Sequence, residues 1–215
     1  MYSTPNVGGH TYVWAISGGS VTAGAGTNSI TVTWGAAGAG WVQVTETITA
    51  TGCAFTTAQY NVTINPLPTP VISGPTPVCA NSTGNVYSTP NVGGHTYVWA
   101  ISGGSITAGA GTNSITVTWG AAGAGWVQVT ETITATTCAV TTAQYNVTIN
   151  PLPTPVISGQ TPVCANSTGN VYSTPNVGGH TYVWAISGGS ITAGAGTNSI
   201  TVTWGAAGSG WVQVT

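Results

Sequence analysis

The sequence predicts an all-β protein, a tandem array of two-sheet β-sandwich repeats with an 85-residue period, and three observations carry that reading. The first is copying. The stretch opening Tyr2-Ser3-Thr4-Pro5-Asn6-Val7-Gly8-Gly9-His10 returns at Tyr87 and again at Tyr172. Residues 2–86 and 87–171 differ only at Val21/Ile106, Gly52/Thr137, Phe55/Val140 and Pro75/Gln160, and residues 172–215 differ from 87–130 only at Ala124/Ser209. The second is alternation of apolar and polar residues with period two, the mark of half-buried strands. The third is punctuation: Gly and Pro clusters separate runs of four to nine residues, and no helical period appears.

The proline clusters set the phase of the repeat. Pro66-Leu67-Pro68-Thr69-Pro70 and Pro151-Leu152-Pro153-Thr154-Pro155 hold the chain extended without ladder hydrogen bonds and read as stiff linkers. They divide the chain into a partial domain at 1–65 lacking its first strands, a complete domain at 66–150, and a partial domain at 151–215 lacking its last strand. Met1 stands where the later repeats have Val86 and Val171, so the chain is expected to be a window on a longer array.

Seven strands are expected in the complete domain. Val71-Ile72 with Pro77-Val78-Cys79 forms a broken first edge strand, followed by Asn85 to Ser88 and then Thr96 to Ile101. Gly103-Gly104 turns the chain into Ser105 to Ala108. Next come Ser114 to Trp119, the glycine-rich loop Gly120 to Gly125, Trp126 to Thr134, and Ala143 to Ile149. Alternation puts Tyr97, Trp99, Ile101, Ile115, Val117, Trp119, Val127, Val129, Tyr145, Val147 and Ile149 on inward faces as the core. Thr116, Thr118, Gln128, Thr130, Gln144, Asn146 and Thr148 fall on the opposite faces, which solvate without charge.

Composition narrows the function. The chain has no Lys, no Arg and no Asp, and only Glu46 and Glu131 as carboxylates; 1% of its residues are charged against 41% hydrophobic. Nucleic acid is excluded as a partner, because phosphate binding needs Lys or Arg to displace counterions. Anionic membrane surfaces are excluded by the same lack, and no apolar run is long enough to insert in a membrane. No cofactor is expected. The glycine-rich loops precede strands and lack a Lys, unlike phosphate-binding loops.

These residues resemble a known family. A proline-rich opening, Pro77-Val78-Cys79, Tyr87 eight residues after that cysteine, Thr96-Tyr97-Val98-Trp99, a Gly-Gly turn, Asn113 to Gly120, and a second cysteine before the last strand together are similar to the PKD-like (polycystic kidney disease-like) Ig-type domains of Bacteroidota-type surface or secreted proteins. The resemblance covers nearly the whole chain. It implies an extracellular or cell-surface β-sandwich used as spacer, adhesin or fibre module, and no catalytic set.

In an extracellular repeat, two cysteines per period favour disulfides. Pairing Cys79 with Cys138 inside one domain would contribute about 4 kcal/mol in the chain-entropy account. Cys53 and Cys164 would then bond outside this chain or to a neighbouring subunit. The rival pairing, Cys53 with Cys79 and Cys138 with Cys164, uses every cysteine but spans a strand, a linker and an opening strand. A metal site is not expected, since no Cys-x-x-Cys or Cys-His cluster exists. Glu46 and Glu131 read as solvated strand-end carboxylates, the alternative being a pairing of Glu131 with His95 or with calcium. His10, His95 and His180 read as loop histidines. Without a nucleophile elbow, enzyme activity is not expected.

Two functions compete at this level. Near-identical sandwiches with no Lys to blunt their edges are prone to edge pairing, and identical repeats on stiff linkers propagate into a regular fibre. That predicts an extracellular filament or stalk whose partner is itself, head-to-tail or lateral, with strands donated between subunits. The alternative is an adhesin rod with a candidate contact surface of Trp126, Gln128 and Asn146 for surface glycans. Ice or mineral binding through Thr-x-Thr rows is a third, weaker reading, since Trp and Gln interrupt the rows.

Overall fold

The computed structural model describes residues 1–215, all of it strand, turn or loop, with no helix long and apolar enough to cross a membrane. Two compact units separate at the second proline cluster, Met1–Pro151 and Leu152–Thr215.

The first unit holds two modules. In the first, β1 (Tyr2–Ser3), β4 (Ser29–Trp34) and β3 (Gly19–Ala23) form one antiparallel sheet in the order β1-β4-β3. The other sheet runs β2 (His10–Ser17), β5 (Gly38–Ile48) and β6 (Ala54–Thr56), with β7 (Tyr60–Ile64) also paired to β5. Period-two patterning explains the burial: Tyr12, Val42 and Val44 are buried while their neighbours Val13, Gln43 and Thr45 are not.

The second module is fuller. One sheet is ordered β10 (His95–Ser102), β13 (Gly123–Ile133), β15 (Tyr145–Asn150) and β8 (Val78–Cys79), with β14 (Ala139–Thr141) also on β13; the other is β11 (Gly104–Ala108), β12 (Ser114–Trp119) and β9 (Asn85–Ser88). Tyr97, Trp99, Ile115, Val117, Trp119, Val127, Val129, Val147 and Ile149 are buried between the sheets, and Ile101 and Tyr145 pack against them half-buried.

Three elements differ from the expectation, the first being the glycine-rich loop Gly120 to Gly125, whose last three residues open β13 and ladder with β15. The opening segment is not one broken edge strand: Ser73 bridges Ser88 in the β9 sheet, whereas Val78–Cys79 pairs in parallel with Ile149–Asn150 in the other. The segment therefore crosses from one sheet to the other. The run expected as a single final strand from Ala143 begins only at Tyr145, and an additional strand, β14, precedes it. Because β13 is 11 residues long, one of its edges has room for both, Gly123 to Val127 facing β15 and Thr130 to Thr132 facing β14. Between them Thr142 changes role, its N–H bonding Val129 O and its carbonyl accepting from Gln128 Nε2 at 2.7 Å.

The second unit contains one module with fewer strands. β16 (Ser158–Gly159), β17 (Asn170–Ser173), β20 (Ser199–Trp204) and β19 (Gly189–Ala193) make one sheet in the order β16-β17-β20-β19, and β18 (Trp184–Ser187) pairs β21 (Trp211–Val214) in the other. Its core is Tyr172, Trp184, Ile200, Val202 and Val214.

The disulfide expectation is corrected. All four cysteines are free, and no pair lies at disulfide distance. Register gives the reason for the intradomain pair. Cys79 lies opposite Asn150, beyond the Gly123 end of β13, whereas Cys138 precedes Ala139, which faces Thr132 at the far end. Nine or ten strand residues separate those ends by about 30 Å, and a disulfide needs Cα atoms within about 7 Å. The rival pairings, Cys53 with Cys79 and Cys138 with Cys164, are absent too.

Candidate functional site: a strand-binding cleft

The site is built around a tyrosine. In the second module Tyr87 is fully buried; its hydroxyl donates to Pro75 O at 2.7 Å and accepts from Trp119 Nε1 at 3.2 Å. The two rings meet edge to face at 5.8 Å. Gly74 lies flat on the tyrosine ring, where an added Cβ would come 2.1 Å from Cδ1. On the opposite wall Gly125 lies against Trp119, where a Cβ would meet Cζ3 at 2.5 Å. Glycine is needed at both places for close approach. Between these walls runs β15.

The grip on β15 is explicit. It pairs antiparallel with β13, Tyr145 opposite Val127 and Val147 opposite Gly125. Tyr145 Oη donates to Gly74 O at 2.8 Å, and Thr148 N–H donates to Thr76 Oγ1 at 3.2 Å. Ile149 lies opposite Val78 of the opening segment. Sandwiched this way, Val147 and Ile149 are almost wholly withdrawn from solvent.

The third module has the same walls around a cleft of about 690 Å³. Its lining includes Gly159, Thr161, Val163, Tyr172, Trp204 and Gly210, the counterparts of Gly74, Thr76, Val78, Tyr87, Trp119 and Gly125. Tyr172 keeps its two bonds, to Gln160 O at 2.8 Å and from Trp204 Nε1 at 3.1 Å. The covering is what differs. Trp119 is 1% exposed but Trp204 is half-buried; Gly125 is buried but Gly210 is exposed; Val127 is fully buried but Val212 is not. Strand β21 also starts at Trp211, so Gly208 to Gly210 are unpaired where Gly123 to Gly125 ladder with β15. The first module shows the converse. It has β7, but Tyr60 is 67% exposed and Val62 and Ile64 are partly exposed.

The other singled-out residues fall as follows. Trp126 and Asn146 are cross-strand partners on the outer face of the β10–β13–β15 sheet, and Gln128 lies two residues along the same face. Trp126 and Gln128 are half-buried and Asn146 is exposed, but the Gln128 amide is committed to Thr142 O. Glu131 is not solvated at all: it is 3% exposed, and His95 Nδ1 donates to its Oε1 at 2.6 Å. Glu46 and His10 repeat that bond at 2.6 Å in a more open setting, while His180 is exposed. No three metal-ligating side chains gather anywhere. Sequence reasoning named Tyr87 only as a mark of the family resemblance and passed over Gly74 and Thr76; the glycine inside Val71-Ile72-Ser73-Gly74, at a point of strand pattern, was the available signal of close backbone approach.

A family profile described as PKD-like domain matches the chain three times, over residues 1–64, 65–149 and 150–215. No curated protein matches the chain. Among solved structures the chain is similar to FdeC, an Escherichia coli adhesin, at 16% identity and a TM-score of 0.35, covering 99% of this chain and 82% of that one. It is also similar to SGBP-B of the Bacteroides ovatus mixed-linkage glucan utilization locus, solved with a mixed-linkage heptasaccharide, at 15% identity and a TM-score of 0.24, covering 94% of this chain and 52% of that one. Extracellular cadherin domains 1–5 of protocadherin gamma B2 match at 12% identity and a TM-score of 0.27, covering 91% and 46%.

Proposed function

The chain belongs to the PKD-like domain family, three modules in tandem, and from that premise we propose that it is a structural component of an extracellular or cell-surface filament or stalk that assembles with copies of itself. The observation that carries the reading is the repetition itself: three near-identical β-sandwich modules of one family follow one another in a single chain, the arrangement of a repeating fibre. The surface adds to it. With no Lys or Arg and two carboxylates in 215 residues, nothing repels an approaching copy or guards an open sheet edge. The domain phase of 1–65, 66–150 and 151–215 belongs to this proposal, with the proline clusters as joints, and so do bonds from exposed Cys53 and Cys164 to a neighbouring subunit.

Electron microscopy of the purified protein tests it. Filaments are expected in water and in 1 M salt alike, because so few charges contribute. A dispersed monomer at high concentration under both conditions overturns the proposal. A second reading, an adhesin rod that binds surface glycans, is favoured by the pairing of Trp126 with Asn146 on an outer sheet face. Its test is a glycan array, with Trp126→Ala removing the signal.

A further inference from the structure

We propose that β10 of the second module pairs edge to edge, antiparallel, with β10 of a second copy of the chain, Val98 opposite Val98. This rests on the reading of the chain as self-assembling and names the strand and the register of the contact. β10 ends its sheet, with β13 on one side and no strand on the other. Its pairing with β13 fixes which main-chain groups the open side carries. The Thr134 N–H bonds Gly94 O at 2.9 Å, in the same register that sets His95 opposite Ile133 and Val98 opposite Thr130. Antiparallel ladders alternate bonded and non-bonded pairs. Thr96, Val98, Ala100 and Ser102 therefore bond toward β13, and His95, Tyr97, Trp99 and Ile101 turn their N–H and C=O groups to the open side. The third module has the same phase: Val183 and Thr215, counterparts of Val98 and Thr130, exchange both bonds at 2.9 Å. The His95 N–H is taken by Val92 O at 3.2 Å, but the N–H groups of Tyr97, Trp99 and Ile101 meet no acceptor in the chain.

A row of unpaired donors and acceptors at this spacing fits an extended strand, and the row is complementary to itself. Centred on Val98, two antiparallel copies exchange Tyr97 N–H to Trp99 O, Trp99 N–H to Tyr97 O and Ile101 N–H to His95 O, each made twice by symmetry. Val98 meets its own copy as a non-hydrogen-bonded pair, where side chains approach closest, so a valine that is 66% exposed gains a β-branched partner. Thr96 then faces Ala100. The devices that guard natural edges are missing: β10 has no Pro, no Lys and an unbroken register. Its outward side chains, Thr96, Val98, Ala100 and Ser102, are uncharged, so nothing repels the second copy. β2 has the identical sequence and also ends its sheet, with Val13 66% exposed. One isologous edge would close a dimer. Two interchangeable edges on one chain let the assembly continue.

The test uses the full chain with its four cysteines changed to serine. Val98→Cys, oxidised and run on a non-reducing gel, is expected to give a covalent dimer. Thr96→Cys and Ala100→Cys are exposed on the same face but lie opposite each other in this register, not opposite themselves. Each alone is expected to give at least tenfold less dimer, and the two combined in one chain are expected to restore it. Val13→Cys with Val98→Cys is expected to give a ladder of covalent oligomers. Val13→Lys with Val98→Lys puts a charge on both edges, and is expected to keep the melting temperature of the parent and lose its filaments. Equal yields from the three single cysteines, or filaments undiminished in the lysine variant, overturn the assignment. So does no dimer from Val98→Cys, which leaves the edge to a strand of a different protein. Filaments of the parent chain that persist in such a case leave the self-assembly reading standing. Register-specific dimers in a parent chain that never forms filaments support the edge contact while overturning the filament.

Discussion

Replacing Tyr87 with phenylalanine removes one oxygen and leaves the core shape unchanged, so it measures the hydrogen bonds that join the opening segment to the sandwich. The Trp119 N–H would be stranded, since Trp119 is 1% exposed, and an unsatisfied buried donor costs about 1–3 kcal/mol. Pro75 is exposed, so its carbonyl turns to water and only the net bond of about 1 kcal/mol is lost. The expected destabilisation is thus about 2–4 kcal/mol, which in a domain of this size lowers the melting temperature by about 8–30 °C. Calorimetry of the full chain reads it as the downward move of one transition. Tyr2→Phe is the internal control: Tyr2 meets Trp34 edge-on at 5.9 Å but makes neither bond, so its variant should move nothing by more than about 2 °C. Equal shifts in the two variants, or none in Tyr87→Phe, would refute the reasoning. Alkali gives a second reading. Burial raises the Tyr87 phenol above its ordinary value of 10.0, partly offset by the Trp119 bond and helped by Tyr145 nearby. The folded state then holds the proton more tightly than the unfolded state, so this contribution is intact below pH 10 and is lost as pH rises beyond it. Tyr87→Phe should therefore show a shallower alkaline decline in stability than the parent chain.

Other predictions use the repeats as matched controls. Glu131→Ala is expected to cost about 2–4 kcal/mol in urea denaturation, since it breaks a buried pair. Glu46→Ala, whose pair is more open to solvent, should cost under about 1 kcal/mol. Gly74→Ala drives a Cβ into the Tyr87 ring and should destabilise by about 1–3 kcal/mol. Gly8→Ala has nothing within 4 Å and should be neutral within about 0.5 kcal/mol. Titration of the folded, unassembled chain with an aromatic disulfide should count four thiols, since no cysteine is bonded within the chain.

The strands with clean alternation were readable because each has one dry face. Tyr97, Trp99, Ile115, Val117 and Val127 are buried on the faces that period two assigns them. The opening segment was harder, because a chain that changes sheets presents no continuous face for alternation to report. Strand β14 is three residues long, too short for a pattern, and exists because β13 has edge to spare. The disulfide expectation rested on cysteine count and a plausible loop, and count carries no information about which end of a strand a residue occupies. Pairing of Glu131 with His95 stood as the alternative to a solvated strand end, and it is the one the structure shows; alternation alone did not reveal that His95, opposite Ile133 on β10, buries the carboxylate. The cleft in the third module was legible only as a missing strand, while its walls of glycine and tyrosine needed three dimensions.

The parallel pairing of β8 with β15 has a mechanical consequence. One strand belongs to the opening segment of the module and the other closes it, and both run in the same direction. Tension applied through the two ends of the module pulls them along their common axis in opposite senses. The bonds between them, with the Ala80 N–H to Asn150 O bond of 2.8 Å beside the pair, are therefore loaded together in shear and cannot open one at a time. A filament of modules built like the second would resist stretching at the rate its slowest shear rupture permits, each such module carrying one clamp.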